Sequence, residues 1–166
     1  MYAQITQFTK MLRTLSRLLD KAQQHAAANN LAPDALLDAR LAPDMRPLTS
    51  QVQMACDTAR LAASVLSGKP IPVYKDTEKT IPELKALIEK TVAYVASIEK
   101  SGFAGWEDRT VAPPGWSGAF LGKDYFYQHG VPNFYFHTVT AYDILRHKGV
   151  RIGKMDYIGQ LPFLQR

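Results

Sequence analysis

Pro132-Asn133-Phe134-Tyr135-Phe136-His137 is the stretch that decides the expected fold, and it runs on through Thr140-Ala141-Tyr142 to Ile144-Leu145-Arg146-His147-Lys148-Gly149. Its aromatic and aliphatic side chains predict a helix that ends at the glycine. A carboxamide and an imidazole, Asn133 and His137, lie one turn apart on this helix. Buried polar groups need hydrogen-bond partners. The stretch therefore predicts an internal polar site in a helical protein.

The helix that carries this site is predicted to run from about Lys123 to about Lys148. Pro132 lies inside it, removes one backbone hydrogen bond, and predicts a kink. His129, Asn133 and His137 are spaced four residues apart, so they are expected to line one side of the helix. Ala141 and Leu145 continue the same line, which indicates that this side faces the core.

Three further helices are predicted from apolar residues that recur three and four positions apart. The first covers about Ala3 to Ala28, and the second about Pro47 to Ser67. The third follows a capping-box pattern, Thr80 with Glu83, and is expected to reach about Lys100. The residues between helices three and four lack the helical period, and Arg109-Thr110-Val111 with Ala119-Phe120-Leu121 predicts a short hairpin there. We expect an all-α four-helix bundle with a short hairpin or irregular insert between helices 3 and 4.

Length and composition indicate one ordinary globular domain over residues 1–166. The chain is 46% hydrophobic and 21% charged, with a formal net charge of +5. No apolar run reaches the roughly 20 residues that a membrane span needs. Cys56 is the only cysteine, so no intrachain disulfide can form. A reducing, cytoplasmic location and no membrane partner are expected.

The basic residues do not form the concentrated stripe that is typical of nucleic-acid-binding proteins. Their one cluster lies at the end of the predicted last helix and comprises Arg146, Lys148, Arg151 and Lys154. Cations at a helix C-terminus complement the helix dipole, which is the interpretation favoured here. Phosphate contacts are the alternative. A nucleic-acid partner is not predicted.

Helix two is expected to supply the residues opposite His137, and the candidates are Gln53, Cys56 and Asp57. The thiol of Cys56 is interpreted as a small buried core group, because a mid-helix position offers no cation or helix N-terminus to activate it. Gln53 and Asp57 lie one turn apart. They form either a polar pair facing Asn133 and His137 or part of the solvent face, and the sequence favours neither.

Several segments together resemble a bacterial family of domains of unknown function that is grouped in the DinB/YfiT-like superfamily. They are Leu41-Ala42-Pro43-Asp44-Met45, Gln51-Val52-Gln53, Cys56-Asp57, Asp76-Thr77-Glu78-Lys79-Thr80, Glu107-Asp108-Arg109-Thr110-Val111, Pro132-Asn133-Phe134-Tyr135-Phe136-His137 and Gly153-Lys154-Met155-Asp156-Tyr157-Ile158-Gly159. The resemblance covers nearly the whole chain. It implies a DinB-like up-down-down-up bundle, commonly dimeric, and it brings no established activity.

The resemblance also allows the metal ligands of the superfamily to be compared with the residues of this chain. Members of the superfamily often bind a divalent metal through one histidine of helix two and a His-x-x-x-His pair of helix four. Here His137 matches the second member of that pair, whereas Asn133 stands in the place of the first. No histidine lies between His25 and His129, so the helix-two ligand has no counterpart. No metal site is predicted; a zinc or nickel ion, if one binds, would use His137.

Three functions are therefore considered, and the weakest is a DNA-damage factor acting on nucleic acid, which rests only on the superfamily's name and a mildly basic pI. The first is a non-enzymatic homodimeric bundle that binds a small molecule at His137, Asn133 and His129, with Gln53, Cys56 and Asp57 opposite. The second is a metal-dependent thiol transferase or hydrolase of the kind proposed for superfamily relatives. The missing histidines favour the first. The homodimer is also suggested by Phe134, Tyr135 and Phe136, because three consecutive helical residues cannot all face the interior.

Overall fold

A computed structural model describes residues 1–161 of the chain, and these residues form a helical bundle with one small hairpin. The long helices are α1 (Tyr2–Ala28), α2 (Leu48–Ser67), α3 (Ile81–Ala96) and α5 (Val131–His147). The shorter elements are a 3₁₀ helix (Lys100–Phe103), β1 (Thr110–Val111), β2 (Phe120–Leu121), α4 (Gly122–Tyr125), a π turn (Phe126–Gly130) and α6 (Lys154–Ile158). The predicted all-α bundle is confirmed.

The four long helices close around one hydrophobic core. Helix α2 packs most extensively against α5, and α1 packs most extensively against α3. Their apolar stripes are fully buried, as Leu12, Leu19 and Val52 show with exposures of 0%. Burial of each such side chain contributes roughly 1.5–3 kcal/mol to folding. This packing fixes the rotation of α2 and α5 about their axes, and so it fixes which residues face each other between them.

The local signals that start and end these helices are present in the structure. Thr80 accepts a hydrogen bond from the backbone N–H of Glu83, whose carboxylate accepts one from the N–H of Thr80, which completes the capping box. Gly68 ends α2 with a φ of +73°, a left-handed conformation that favours glycine.

The helix that carries the polar site is a composite of α4, the π turn and α5, and it occupies residues 122–147. Pro132 comes just after the π turn, where a proline ring would otherwise meet the carbonyl four residues before it. A π turn is wider than an α turn, and it accommodates the proline within a continuous helix. The sequence predicted a kink at Pro132, and the structure has a π turn directly before this proline. One extra residue in that turn also rotates His129 relative to α5.

The predicted hairpin is present as an antiparallel pair in which Thr110 faces Leu121 and Val111 faces Phe120. It leads directly into α4 at Gly122. A Cβ at this glycine would lie 1.9 Å from the carbonyl oxygen of Trp106, so only glycine fits the junction. The hairpin thus places the loop that carries Trp116 beside the π turn.

Two sequence predictions are wrong in detail. Helix α3 ends at Ala96 rather than near Lys100, and the chain then enters a 3₁₀ helix at Lys100. The apolar period misled the prediction, because Ile98 is buried although it lies beyond the helix. Sequence reasoning also missed α6, which begins after Gly153 with the Asp156 carboxylate accepting the Gly153 N–H. Within residues 1–161, no helix combines the length and the apolar character needed to cross a membrane.

Candidate functional site

The imidazole of His137 lies in the interface between α2 and α5 and is only 4% exposed. Its Nδ1 is 2.8 Å from the Oε1 atom of Gln51 on α2. A carboxamide oxygen can only accept a hydrogen bond, so Nδ1 carries the proton and donates it. Gln51 is held in turn by its own Nε2, which donates to the carbonyl of Arg46 at 3.0 Å. The ring of His137 therefore has a defined orientation and a defined tautomer.

The other ring nitrogen of His137 is the incomplete part of this arrangement. Nε2 is buried, and it has no hydrogen-bond partner among the described residues. Because Nδ1 holds the proton, Nε2 presents a lone pair. Burial lowers the pKa of His137 below its ordinary value, and the positive charge of Arg46 and the proximity of His129 lower it further. The ring is thus a neutral, oriented hydrogen-bond acceptor at neutral pH.

Asn133 lies one turn before His137 and is bound to α2 as well. Its Nδ2 donates to the Oγ1 of Thr58 at 2.7 Å, and the same hydroxyl donates to the carbonyl of Met54. The amide is half-buried, and this bond holds it between the two helices. Asn133 therefore joins the two helices and offers its carbonyl oxygen as a further acceptor.

His129 lies in a separate environment, because it belongs to the π turn rather than to α5. Its ring stacks on Tyr125 with a centroid separation of 5.6 Å, and it meets the edge of Trp116 at 4.9 Å. Burial lowers the pKa of His129 below its ordinary value. Its Nδ1 and the hydroxyl of Tyr125 are both buried without a hydrogen-bond partner among the described residues. The aromatic neighbours shield two polar atoms that nothing in this part of the chain satisfies.

The three residues expected opposite His137 have their polar contacts elsewhere. Gln53 donates to the carboxylate of Glu78 at 2.9 Å, in the extended crossing before α3. Asp57 forms an ion pair with Arg60 at 2.5 Å, one turn along α2. Arg60 also lies 4.6 Å from the centre of the Tyr74 ring and donates to the carbonyl of Pro72. These groups contact one another on the side of α2 that faces residues 70–80, where the Nε of Arg60 and the hydroxyl of Tyr74 are buried without a partner among the described residues.

Cys56 is completely buried in the core. Burial raises the pKa of its thiol to about 12; a hydrogen bond with Thr91 opposes this rise, and the carboxylates of Asp57, Glu78 and Asp76 add to it. A thiol needs to be ionised to act as a nucleophile. The structure therefore supports the interpretation of Cys56 as a core residue rather than a reactive group.

The residues of α2 that do meet the polar face of α5 are Gln51 and Thr58, and sequence reasoning missed them in this role. They are seven residues apart, so they lie two turns apart on one side of α2. The buried alanines Ala55 and Ala62 lie on the same side. A search for polar residues in register with the small residues of α2 would have found this pair.

The donor set does not fit the three-ligand metal site of the superfamily. His137 offers one suitable nitrogen, but its neighbours Gln51 and Asn133 are carboxamides, which are weak ligands for zinc and nickel. In the part of the chain that the structure describes, no three His, Cys, Asp or Glu side chains lie close enough to hold an ion. Residues 162–166 contain none of these four residue types.

Comparison with known families identifies this bundle. The model of a family called domain of unknown function DUF1993 matches residues 1–158. The chain belongs to the DUF1993 family. No curated protein matches it.

A solved structure is similar to this DUF1993 protein over almost its whole length. It is the crystal structure of a DinB family member protein from Shewanella denitrificans, with 38% sequence identity and a TM-score of 0.93. The similarity covers 98% of this chain and 93% of that chain. The resemblance that the sequence motifs indicated, a domain of unknown function with a DinB-like fold, is confirmed.

Proposed function

We propose that this DUF1993 protein binds a small neutral molecule that donates a hydrogen bond to Nε2 of His137. One observation supports this proposal above all others. Nε2 is a buried acceptor with no partner among residues 1–161, while Nδ1 of the same ring is held by Gln51. An unsatisfied buried polar atom is unfavourable by roughly 1–3 kcal/mol. A ligand donor would recover this energy.

The chemistry around Nε2 defines the class of ligand. The neutral imidazole can accept but cannot donate at Nε2, so the ligand needs an O–H or N–H group. A cationic ligand would meet the positive field of Arg46, which already helps to keep the ring uncharged. An anionic ligand would lose its hydration without gaining a charged partner at Nε2. A neutral donor with an apolar body fits best.

Access to Nε2 requires a movable neighbour, and Phe136 is suitable. Its ring lies 5.2 Å from the His137 ring, at a nearly perpendicular angle. In the single chain the side chain of Phe136 is 54% exposed, so it can rotate there without opening the core. In the dimer proposed below this side chain would be covered, so entry by this route is expected in the monomer. An aromatic ligand that replaces this edge contact would keep the apolar surroundings of the imidazole. Phenol is the simplest molecule that combines such a ring with a donor.

Phenol and anisole provide a matched test. Both have the same ring, and only phenol has an O–H group. In protein labelled with ¹⁵N-histidine, we expect His137 to show a protonated Nδ1, and we expect phenol to shift its Nε2 resonance saturably. Anisole should bind at least about tenfold more weakly, because it leaves Nε2 unpaired. Equal binding of the two, or no shift at His137 with either, would contradict the proposal.

Two variants test whether phenol binds at the imidazole ring of His137. His137→Phe keeps an aromatic group but removes the acceptor, so the preference for phenol over anisole should disappear. His147→Phe is the matched control, because it changes an exposed histidine at the end of the same helix. The control should leave the preference unchanged. A preference that survives in His137→Phe would place the phenol elsewhere.

We also propose that this protein lacks the three-histidine metal site of the superfamily. The alternative function is a metal-dependent thiol transferase or hydrolase. The carboxamides at Gln51 and Asn133 support the proposed lack of this site. Elemental analysis of protein purified without a histidine tag should give less than stoichiometric zinc and nickel. Stoichiometric metal that is lost in His137→Ala would favour the alternative.

We further propose that the protein is a homodimer, as the motif resemblance implied, and that it acts in the cytoplasm. Phe136 and Val139 lie one turn apart and are 54% and 41% exposed, which leaves an apolar surface on α5. Light scattering should give twice the chain mass at micromolar concentration, and Phe136→Ser with Val139→Ser should give the monomer mass. A monomeric parent protein would exclude this dimer.

The buried thiol of Cys56 is consistent with a reducing compartment.

A further inference from the structure

A cavity that His137 does not line lies where the end of α1 meets the chain that leaves α5. Its volume is about 460 Å³. It is lined by Lys21, Gln24, His25, Ala28, Asn29 and Arg151. This lining combines three basic side chains with two carboxamides and no carboxylate. We propose that this cavity binds a small tetrahedral oxyanion of the phosphate or sulfate class.

The turn after α5 builds the cavity. Gly149 has a φ of +86°, which favours glycine, and it redirects the chain toward α1. A Cβ at Gly149 would lie 3.5 Å from Cε1 of His25, so the turn lies directly against this imidazole. Two residues later, Arg151 lies at the rim. The geometry therefore brings a guanidinium from one end of the chain to basic groups on α1.

The hydrogen bonds of His25 leave a donor available. The Nδ2 atom of Asn29 lies 3.4 Å from Nδ1 of His25, and it also donates to the His25 carbonyl at 2.8 Å. An amide nitrogen donates, so Nδ1 accepts and Nε2 carries the ring proton. An oxyanion can accept this proton together with the donors of Lys21 and Arg151.

A different explanation is that these cations only complement the C-terminal ends of α1 and α5. The backbone hydrogen bonds at the two helix ends indicate that these basic side chains have a further role. Leu31 N–H donates to the carbonyl of Ala26, and Val150 N–H donates to that of Leu145, as in the usual glycine or asparagine helix ends. The carbonyls of Ala26 and Leu145 therefore already have backbone partners and do not need the side-chain donors.

The charge balance at the cavity favours an anion. Lys21 is paired with Asp156 at 2.7 Å, outside the cavity lining. Arg151 has no carboxylate partner among the described residues. Arg151 is therefore the most available charge, and its planar guanidinium is suited to bidentate contacts with an oxyanion.

Titration with inorganic phosphate at constant ionic strength tests the proposal. We expect saturable ¹H–¹⁵N shifts of the side-chain amides of Gln24 and Asn29. Sulfate should compete with phosphate, because it is also a tetrahedral oxyanion. Acetate should bind at least about tenfold more weakly, because it is planar and carries one charge. Shifts that spread over the surface and increase linearly with phosphate would overturn the proposal.

Two variants that each lose one positive charge distinguish binding at this cavity from non-specific electrostatic attraction of phosphate. Arg151→Ala should weaken phosphate binding by about tenfold or more, because a charge-assisted contact is lost. Lys148→Ala removes one charge from the same exposed region but lies outside the lining, and it should change binding by less than about twofold. Equal weakening in the two variants would overturn the site. Neither residue contacts His137, so failure here leaves the phenol test unaffected.

Discussion

The two sides of α2 differ in the partners that their polar side chains bind. Toward residues 70–80, Asp57 pairs with Arg60 and Gln53 pairs with Glu78. Toward α5, Gln51 and Thr58 bind His137 and Asn133, but Nε2 of His137 stays without a partner. Both sides are rich in polar residues. Buried atoms without a partner among the described residues remain on both sides, because the Nε of Arg60 and the hydroxyl of Tyr74 are also unpaired. His137 differs from them in that Gln51 orients its ring and leaves Nε2 as an acceptor only.

The comparison also separates two kinds of buried titratable group. Burial raises the pKa of the Cys56 thiol to about 12, and the charges of three carboxylates add to the rise, so little thiolate forms. His137 is buried beside a carboxamide that orients it, so its neutral form is held ready for a hydrogen bond. Burial suppresses charge in both residues. Only the histidine remains chemically useful when it is neutral.

The largest expected effect is on the reactivity of Cys56. A thiol pKa of about 12 leaves very little thiolate at pH 8. Labelling by a disulfide reagent should therefore be slower in the native protein than in the unfolded chain by a factor of about a thousand or more, since an ordinary cysteine has a pKa of about 8.5. Timed labelling with and without urea measures this ratio. Rapid labelling of the native protein would show that this side of α2 is open.

The next largest effect is expected from Gln51→Leu. It leaves the Nδ1–H of His137 unpaired as well, and should lower the free energy of unfolding by about 1–3 kcal/mol. Gln53→Leu is the matched control on the other side of α2. Its partner Glu78 is only half-buried and can turn to water, so the loss should stay below about 1 kcal/mol. Urea unfolding measures both, and equal losses would remove the distinction between the two sides.

A smaller effect is expected in two double-mutant cycles. Thr58→Val with Asn133→Ala, and Asp57→Asn with Arg60→Gln, should each give a coupling energy of about 0.3–1 kcal/mol. The ion pair is 35% exposed at Asp57, so salt should weaken it. The neutral pair should not respond. The same salt dependence in both cycles would contradict the assignment of an ionic side and a neutral side.

The free energy of unfolding is expected to change gradually with pH. Burial holds the pKa of His137 and of His129 below the ordinary value of 6.5. As the pH falls below about 6.5, the unfolded chain takes up protons before the folded protein does, so stability decreases. Above this pH neither histidine contributes a slope. Unfolding measured from pH 8 to 5 should show the decrease, with part of it lost in His137→Gln and part in His129→Gln. A stability that rises toward pH 5 would contradict the buried neutral imidazole.

Local sequence signals were sufficient for most of the secondary structure. The ends of α1 and α2, the capping box at Thr80 and the hairpin all depend on residues within a few positions of each other. The predicted boundary of α3 was wrong because the apolar period continues to Ile98, which is buried in the core although it lies beyond the end of the helix.

The candidate site was predictable only in part. His137 and Asn133 follow from the pattern of α5, but their partners Gln51 and Thr58 depend on how α2 is rotated against α5. The π turn at Phe126–Gly130 also changes the surroundings of His129, which meets Tyr125 and Trp116. Whether these residues bind a ligand stays a prediction.

The sequence by itself determined that this chain forms a helical bundle with a polar stripe on its last long helix, because helical period and capping are encoded within a few turns. Only the tertiary structure decided which groups the stripe meets and which of its atoms remain unpaired. The physical reason is that helix rotation results from packing against all neighbours at once, and a rotation of one position on α2 exchanges Gln51 and Thr58 for a different set of side chains.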